Sequence, residues 1–473
     1  MTLAPITPLA DAILGLTSAE ADAARDLDDR LRRFTLPNFS ANAFYTAGHA
    51  LSSPGFTIPQ EIANRLAPVA GAPATVVDVL DERLEFLGWD EGPGDALGLS
   101  GLFDANELDS ESSMAHLDAL IYGTSFARVG TGEGGPLVTV HPPTTTTGVR
   151  DPATRRLRAA WTTLDSDDEG VTRGVLDLPD VAVTLRSTLA GGWTVEDRDE
   201  HLMGRVPVVQ FTNRPRASRR GGQSEITAAI RSLTEDMMRA ALGMNVNTMF
   251  YSIPQLMILG RGPDAFKDRD GNVVPGWKIL AGHALAINKD GDGDVPTVHQ
   301  LTVSSPTPFI EQLREFRIQI ASEAGMPADY MGIQTSNPSS ADAIRMGESR
   351  LVKRTERRQS GFGRSWMEVG RLAMLVRDGE IPTDFNERVS VAWQSAATPT
   401  RAATADEVTK LVSAGILAPD SGVVRKRLGL SRTEERMLEV EQRRASGANV
   451  LEALRNRAGG EPAPAPVTDD LGG

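Results

Sequence analysis

Met326-Pro327-Ala328-Asp329-Tyr330-Met331-Gly332-Ile333-Gln334-Thr335-Ser336-Asn337-Pro338-Ser339-Ser340-Ala341-Asp342-Ala343-Ile344-Arg345 is a polar break between two helical patterns. Upstream, Phe309, Leu313, Phe316 and Ile320 recur at helical spacing and form one apolar stripe. Thr307 stands as the N-cap of that helix, with Pro308 at its first position. Downstream, a long basic helix starts at Ser339 or Ser340 and runs to about residue 378; Ser339 and Asp342 stand in near capping-box spacing. Gly361 and Gly363 predict a bend or break in it, because helical glycine costs up to about 1 kcal/mol relative to alanine.

The segment before this break is a helix, a short β region and a second helix. Ile226, Ile230, Leu233, Met237, Ala241 and Met244 predict a helix over 224–250 with a continuous apolar face. At ~1.5 Å per residue it is roughly 40 Å long. Between 255 and 303 the pattern changes to short apolar runs, with turns at Asp270-Gly271 and Gly291-Asp292-Gly293.

Outward from this centre, the first third reads as mixed α/β. Helical spacing covers 8–33, a short helix at 75–80 leads to a strand at 84–88, and 106–122 is a helix with Leu108, Ser112, His116, Ala119 and Leu120 on one face. Strands follow at 126–130, 150–161, 171–178 and 182–189, separated by Asp/Gly turns. After 400 the chain is helical again, with Thr404/Glu407 and Ser431/Glu434 as capping boxes. The Gly/Pro/Ala-rich tail predicts disorder. The fold class is therefore α+β.

At 473 residues the chain is long enough for two to four domains. A net charge of −14 argues against a surface that grips nucleic acid tightly. Cysteine is absent, which excludes disulfides, thiolate metal sites and a cysteine nucleophile. Met1-Thr2-Leu3-Ala4-Pro5 has no basic region and no long apolar run, so no signal peptide is expected. The apolar windows fall short of the ~20 residues of a membrane helix.

Catalytic constellations are missing. His49, His116, His141, His201, His283 and His299 show no metal-ligand spacing. Gly130-Thr131-Gly132-Glu133-Gly134-Gly135 matches the bare dinucleotide-loop pattern, but Pro136 and the strand-like 138–140 follow where a helix N-terminus is needed, so it reads as a hairpin turn. There is no Walker A lysine motif. Asp290-Gly291-Asp292-Gly293-Asp294 and Asp268-Arg269-Asp270-Gly271-Asn272 read as solvated turns, with calcium as the alternative. No cofactor and no metal is expected. Two basic clusters stand out: Arg214, Arg216, Arg219 and Arg220, and Arg350, Lys353, Arg354, Arg357 and Arg358. Each is either a solvated face paired with acids such as Glu348 and Glu356, or a contact for an acidic neighbouring subunit or DNA.

Val206-Pro207-Val208-Val209-Gln210-Phe211-Thr212-Asn213-Arg214-Pro215-Arg216 followed by 221–230, Ala119-Leu120-Ile121-Tyr122-Gly123 with Phe126, Asp151-Pro152-Ala153-Thr154-Arg155-Arg156, and 325–345 together resemble bacteriophage portal proteins. The likeness is greatest to the subgroup common in phages of actinobacteria, and it covers about 30–455. No single motif is diagnostic; their order and spacing carry the match. The resemblance implies a wing at 1–222, stem helices at 223–250 and 307–325, a clip at 251–306 and a tunnel-loop region at 326–340. It further implies a long kinked helix returning to the wing at 341–400, a crown at 401–457 and a disordered tail at 458–473.

The resemblance also implies a homo-oligomeric ring, a dodecamer in the usual case, at one capsid vertex. Double-stranded DNA passes through its channel. Large terminase, a head–tail adaptor and the major capsid protein are the partners, with no membrane and no enzymatic activity. The locations are the virion and, during assembly, the host cytoplasm. In this frame Gln334, Thr335, Ser336, Asn337, Pro338, Ser339 and Ser340 face the DNA. Ile226, Ile230, Leu233, Met237, Met244, Phe309, Leu313, Phe316 and Ile320 pack the stem between subunits, since such stripes are too apolar to stay exposed. Another virion connector protein, or a soluble enzyme of unidentified chemistry, are the competing readings.

Overall fold

Thr17 opens the first long helix by a reciprocal capping box: its hydroxyl accepts the Glu20 N–H at 3.3 Å and Glu20 accepts the Thr17 N–H at 2.8 Å. The structure is a computed structural model that describes residues 13–51, 53, 70–91, 97–167, 170–187, 192–251, 256–259, 297–300, 305–333, 341–397, 401–419 and 421–428, with scattered helical positions from 434 to 444. Two compact units divide the chain, residues 1–397 and 398–473.

In the first unit, strand β1 (Ile13–Leu14) precedes helix α1 (Ser18–Tyr45). The helix thus begins later than the expected 8–33 and runs further, because its true cap is Thr17. Helix α2 (Ala72–Asp81) and strand β2 (Phe86–Asp90) match the expected pair. Helices α3 (Leu99–Ala105) and α4 (Leu108–Tyr122) follow, and the expected α4 face is buried. Strands β3 (Thr124–Gly132) and β4 (Gly135–His141) form the hairpin that the 130–135 glycines predict.

A six-stranded sheet follows. Its strands are β5 (Thr146–Arg150), β6 (Leu157–Asp167), β7 (Gly170–Asp177), β8 (Ala182–Ser187) and β9 (Trp193–Asp199), in the order β1-β9-β8-β7-β6-β5. All neighbours are antiparallel except β1 with β9. The expected single strand over 150–161 is two, split by a turn at 151–156. Leu27 and Leu31 of α1 seal this sheet against Trp161, Leu176 and Trp193.

Strand β10 (Val208–Thr212) pairs with β3, which makes a second sheet ordered β10-β3-β4. Helix α5 (Ala228–Tyr251), the antiparallel pair β11 (Leu256–Leu259) and β12 (Thr297–Gln300), and helix α6 (Thr307–Ala324) come next. Pro306, not Thr307, is the residue at the cap position of α6. A 3-10 turn (Ala328–Met331) leads toward helix α7 (Ala341–Asp378). The 38 residues of α7 form one uninterrupted helix through Gly361 and Gly363, against the expected break. Helical glycine is tolerated because the body packs there: a Cβ on Gly363 lies 3.4 Å from the Trp393 ring nitrogen. Helix α8 (Phe385–Arg388) and strand β13 (Ser390–Trp393) close the unit, with β13 paired to β2.

The main core lies under α7. Trp366 stacks on Phe86 at 4.6 Å, and Phe362 stacks on His116 at 5.1 Å. The Trp366 indole N–H donates to His116 Nε2 at 2.9 Å, so the other ring nitrogen carries the proton and donates to the Leu84 carbonyl at 3.2 Å. Burial pushes the His116 pKa down to about 3, which keeps the ring neutral. This histidine is a structural one.

The second unit contains helices α9 (Arg401–Ser413) and α10 (Gly422–Leu428). Thr404 lies inside α9 and is not its cap, and Glu407 instead pairs with Arg427 at 2.7 Å. Ser431 lies outside the described residues.

Asp81 ends α2, where the helix dipole disfavours an acid. Burial, with Asp78 and Glu82 nearby, raises its pKa from 3.8 to about 7. Between those values the folded chain holds a proton that the unfolded chain has released. Stability therefore falls as pH rises through this window. Asp81→Asn should flatten that fall, measured as urea midpoints from pH 4.5 to 8; an unchanged slope would remove Asp81 as its source.

Candidate functional site: a buried charge joint between three helices

Three of the quoted sequence motifs meet at one point. They are the end of α4 at 119–123, the stretch after β10 at 213–216, and the entry to α5 at 221–230. Gly123 and Gly222 both adopt positive φ, +95° and +85°. A Cβ on Gly222 falls 2.1 Å from the Gly123 carbonyl oxygen, so the two backbones touch where only glycine fits. Backbone bonds seal the contact: Asn213 N–H to Gly123 O at 3.0 Å, Gln223 N–H to Asn213 O at 2.9 Å, and Glu225 N–H to Leu120 O at 2.9 Å. Ser224 donates its hydroxyl to the Ile121 carbonyl. These commitments are why α5 begins at Ala228 and not at the expected residue 224.

Glu225 is the centre. Its side chain is fully buried, and charge comes to it from a helix 133 residues further on. Arg358 of α7 donates through Nε at 3.1 Å and through Nη2. Arg354 donates at 2.8 Å, Asn213 Nδ2 at 3.0 Å and Arg214 at 3.5 Å. Burial alone raises a carboxyl pKa. Here the Arg358 and Arg354 guanidiniums override it, and the Glu225 carboxyl sits below its usual range. Arg214 takes φ +47° to reach the site, a conformation that a non-glycine residue adopts only when its surroundings hold it.

The same face of α7 also holds the end of α6. Arg350 donates to the Ser322 carbonyl at 3.4 Å and Arg354 to the Glu323 carbonyl at 3.5 Å, both in the last turn of α6. Cations belong at that negative dipole end. Gly325 at φ +67° ends the helix, and a Cβ there comes within 2.9 Å of both arginines. Arg350, Arg354 and Arg358, spaced four apart, thus fasten the start of α5 and the end of α6 to one stripe of α7.

The expected basic cluster therefore splits. Arg358 and Arg354 neutralise an internal carboxylate, and Arg350 covers a helix end. Lys353 and Arg357 lie on the exposed side. Glu348, expected beside this cluster, instead accepts from Arg83 at 3.1 Å and from the Tyr330 hydroxyl at 2.6 Å.

The stripes on α5 and α6 meet each other within one chain. Ile226, Ile230, Met237 and Ile320 are buried in the main core, with Leu233, Leu313 and Phe316 packed on its rim. Phe309 covers Gly243, where a Cβ would lie 2.8 Å from its ring, and Met244 is half-buried. Packing inside the hairpin thus covers part of the stripe expected between subunits, with Leu233, Met244, Phe309, Leu313 and Phe316 still partly open. Among the described residues of the two helices, the large apolar ones left outward are Met249, Ile310 and Ile318. Residues 326–333 dock on the body, with Met326, Met331 and Ile333 buried. Gln334, Thr335, Ser336, Asn337, Pro338, Ser339 and Ser340 lie outside the described residues, as do both Asp/Gly turns of 268–272 and 290–294. Among the described residues no cluster of side chains suits a metal ion, and no helix is long and apolar enough to cross a membrane.

The family described as phage portal protein, SPP1 Gp6-like, matches residues 81–446. The chain belongs to the phage portal protein family. The portal protein of Mycobacterium phage D29 is 30% identical over 430 residues, covering 88% of this chain and 87% of that protein. The portal protein of Mycobacterium phage L5 is 30% identical over 414 residues, with 85% and 81% covered. Among solved structures, a chain from the neck of a native gene transfer agent particle, computed with C12 symmetry, covers 83% of this chain and 93% of its own at 14% identity and a TM-score of 0.47. Portal proteins are structural parts of the virion, not enzymes. The sequence resemblance to actinobacterial phage portals agrees with both relatives. What sequence reading missed is Glu225. Its only local signal is an acid at the entry of an apolar stripe, and its partners are far away in the chain.

Replacing Glu225 by Gln leaves Arg358 buried without its counter-charge and should cost about 3–5 kcal/mol in denaturant unfolding. Glu225→Met combined with Arg358→Met should cost less than the two single changes added together. Because the folded pKa of Glu225 is depressed, its contribution stands above the unfolded value of about 4.5 and is lost as pH falls through the folded pKa. Additive losses would show that the pair is not coupled.

Proposed function

We propose that this chain is the repeating subunit of a portal ring at one capsid vertex, a dodecamer, through which double-stranded DNA is packaged and ejected. The observation that carries the reading is the excursion of the chain between two anchored points. It leaves the body at the Glu225 joint along α5, turns through the β11–β12 ladder, and returns along α6 to the arginines of α7. A stem–clip–stem arrangement needs that order. Residues 1–222 serve as the wing, 223–250 and 307–325 as the stem and 251–306 as the clip. Residues 326–340 carry the tunnel loop, 341–400 the long helix and its return to the wing, and 401–457 the crown. Large terminase docks on the clip during packaging, a head–tail adaptor replaces it, and the major capsid protein surrounds the wing. Assembly takes place in the host cytoplasm.

Electrostatics supports passage over capture. A ring of subunits each at −14 is strongly acidic, and an acidic channel repels phosphates so that DNA slides. Negative-stain electron microscopy with light scattering should give annular particles with a central hole and a mass that is a dodecameric multiple of 50.7 kDa. Particles taken from virions that lack the chain at any vertex would refute the reading. Deleting 334–340 should block DNA packaging while rings still form; loss of the ring itself would move those residues from the channel to the assembly contacts.

A further inference from the structure

Along β10, a cavity of about 530 Å³ is lined by Arg150, Arg155, Arg156, Arg158, Arg205 and Arg364. Two acids share its wall, Asp151 and Glu368. Asp151 is spent on its own turn, accepting the Ala153 N–H at 3.0 Å and the Thr154 hydroxyl at 2.7 Å. Glu368 is shared among Arg156 at 3.1 Å, Arg205 at 2.8 Å and Arg371 at 2.7 Å. One carboxylate thus serves three guanidiniums. Arg155, Arg158 and Arg364 make no ion pair among the described residues. Two of the residues lining the cavity, Arg150 and Thr212, each bury a side-chain atom, Nε and Oγ1, with no hydrogen-bond partner among the described residues. Such a concentration of unbalanced positive charge in a chain at −14 calls for an anion from outside the subunit.

The cavity wall is preorganised. Arg155 holds φ +63°, its N–H bonded to the Asp151 carbonyl at 2.9 Å, while the Asp151 N–H bonds the Arg156 carbonyl at 2.8 Å. A fixed turn therefore presents Arg155 and strand β6 presents Arg158, so the backbone that carries them needs little ordering on binding.

The complementary surface lies on the opposite edge of the same sheet. In the order β10-β3-β4, the cavity lies along β10 and the turn before α4 is tied to β4. Asn106 makes that tie, accepting the Val138 N–H at 2.7 Å and donating to the Pro136 carbonyl at 3.1 Å. The turn then presents Glu107, Asp109 and Glu111, with Glu107 at φ +47°. The helix dipole accounts for acids here but gives them no counter-charge. None of the three makes an ion pair among the described residues.

We propose that the arginine cavity of one copy receives the acidic 107–111 turn of the next copy in the ring. The inference rests on the ring reading above. Unlike surfaces on opposite edges of one subunit make a head-to-tail contact, the kind that closes into rings. A recess of this size admits a carboxylate-bearing turn, whereas a duplex presents its phosphates on a convex cylinder that cannot enter.

The test supplies full-length variants in trans to a phage lacking its own portal gene and counts chain copies in purified particles. R155E/R158E and E107R/D109R should each lower incorporation about tenfold, and the chain carrying all four changes should recover to within about threefold of the unaltered chain. Melting midpoints of the soluble variants check that each folds. In parallel, a photo-reactive benzoylphenylalanine in place of Arg158 should cross-link in particles to the 107–111 turn of a second copy. Full incorporation of both charge-reversed pairs overturns the proposal, as does loss without recovery in the combined chain. A cross-link to DNA or to another phage protein, or none to a second copy, overturns it as well. Failure of the unaltered chain to enter particles would sink the ring reading itself, and this pairing with it.

Discussion

Burial of the Glu225 carboxylate is the constraint around which the first unit is arranged. A charge taken out of water is costly, and in this position every oxygen must be met by a donor. The donors come from two directions: Asn213 and Arg214 just past β10, and Arg354 and Arg358 on α7. Satisfying them fixes how α7 lies over the body, because moving it by one residue along its axis would take both guanidiniums away from the carboxylate. It also fixes where α5 starts, since Ser224 and Glu225 are held by α4 and cannot take helical positions. A hydrophobic contact of similar size would tolerate sliding; paired charges with fixed geometry do not.

The consequence reaches the hairpin of α5 and α6. Both of its body-side ends are fastened to the same stripe of α7, one through Glu225 and the other through the last carbonyls of α6. The two helices pack on each other through Ile226, Ile230, Ile320 and their neighbours, so they form one stiff object. A load on the hairpin therefore passes into α7, and from α7 into the aromatic core of Phe86, Phe362, Trp366 and His116. That core carries no ionised group of its own, as burial keeps His116 neutral. Mechanical continuity from hairpin to core is what the proposed role in a ring asks of each subunit.

Much of this architecture was legible in the sequence where the signal was periodic. The stripes of α5 and α6, the buried face of α4 and the hairpin at 130–135 all follow from local spacing. What was not legible depends on groups brought together by the fold. Gly361 and Gly363 look like helix breakers until Trp393 and Val391 are seen pressed against Gly363. Arg350, Arg354 and Arg358 look like a solvent-facing or DNA-facing cluster until Glu225 and the end of α6 appear beneath them. The helix at 401–413 starts before its apparent capping box because serine and threonine can also lie within a first turn. In each case local chemistry admitted two outcomes, and packing decided between them.

The chain uses arginine in two opposed ways, and the contrast separates interior from exterior function. In the joint, Glu225 and backbone carbonyls answer the guanidiniums, so the subunit is complete there by itself. Along β10, the cavity's Glu368 is shared by Arg156 and Arg205 of its wall and by Arg371, while Arg155, Arg158 and Arg364 make no ion pair among the described residues. A folded monomer gains nothing from concentrating like charges in a recess; their mutual repulsion destabilises it. Such a feature persists when its balance is supplied after folding, and the unpaired acids at the other edge of the same sheet have the matching sign. On the proposed pairing, stability of the subunit and closure of the ring are carried by separate sets of the same residue type, so that assembly depends on salt more steeply than the fold of each subunit.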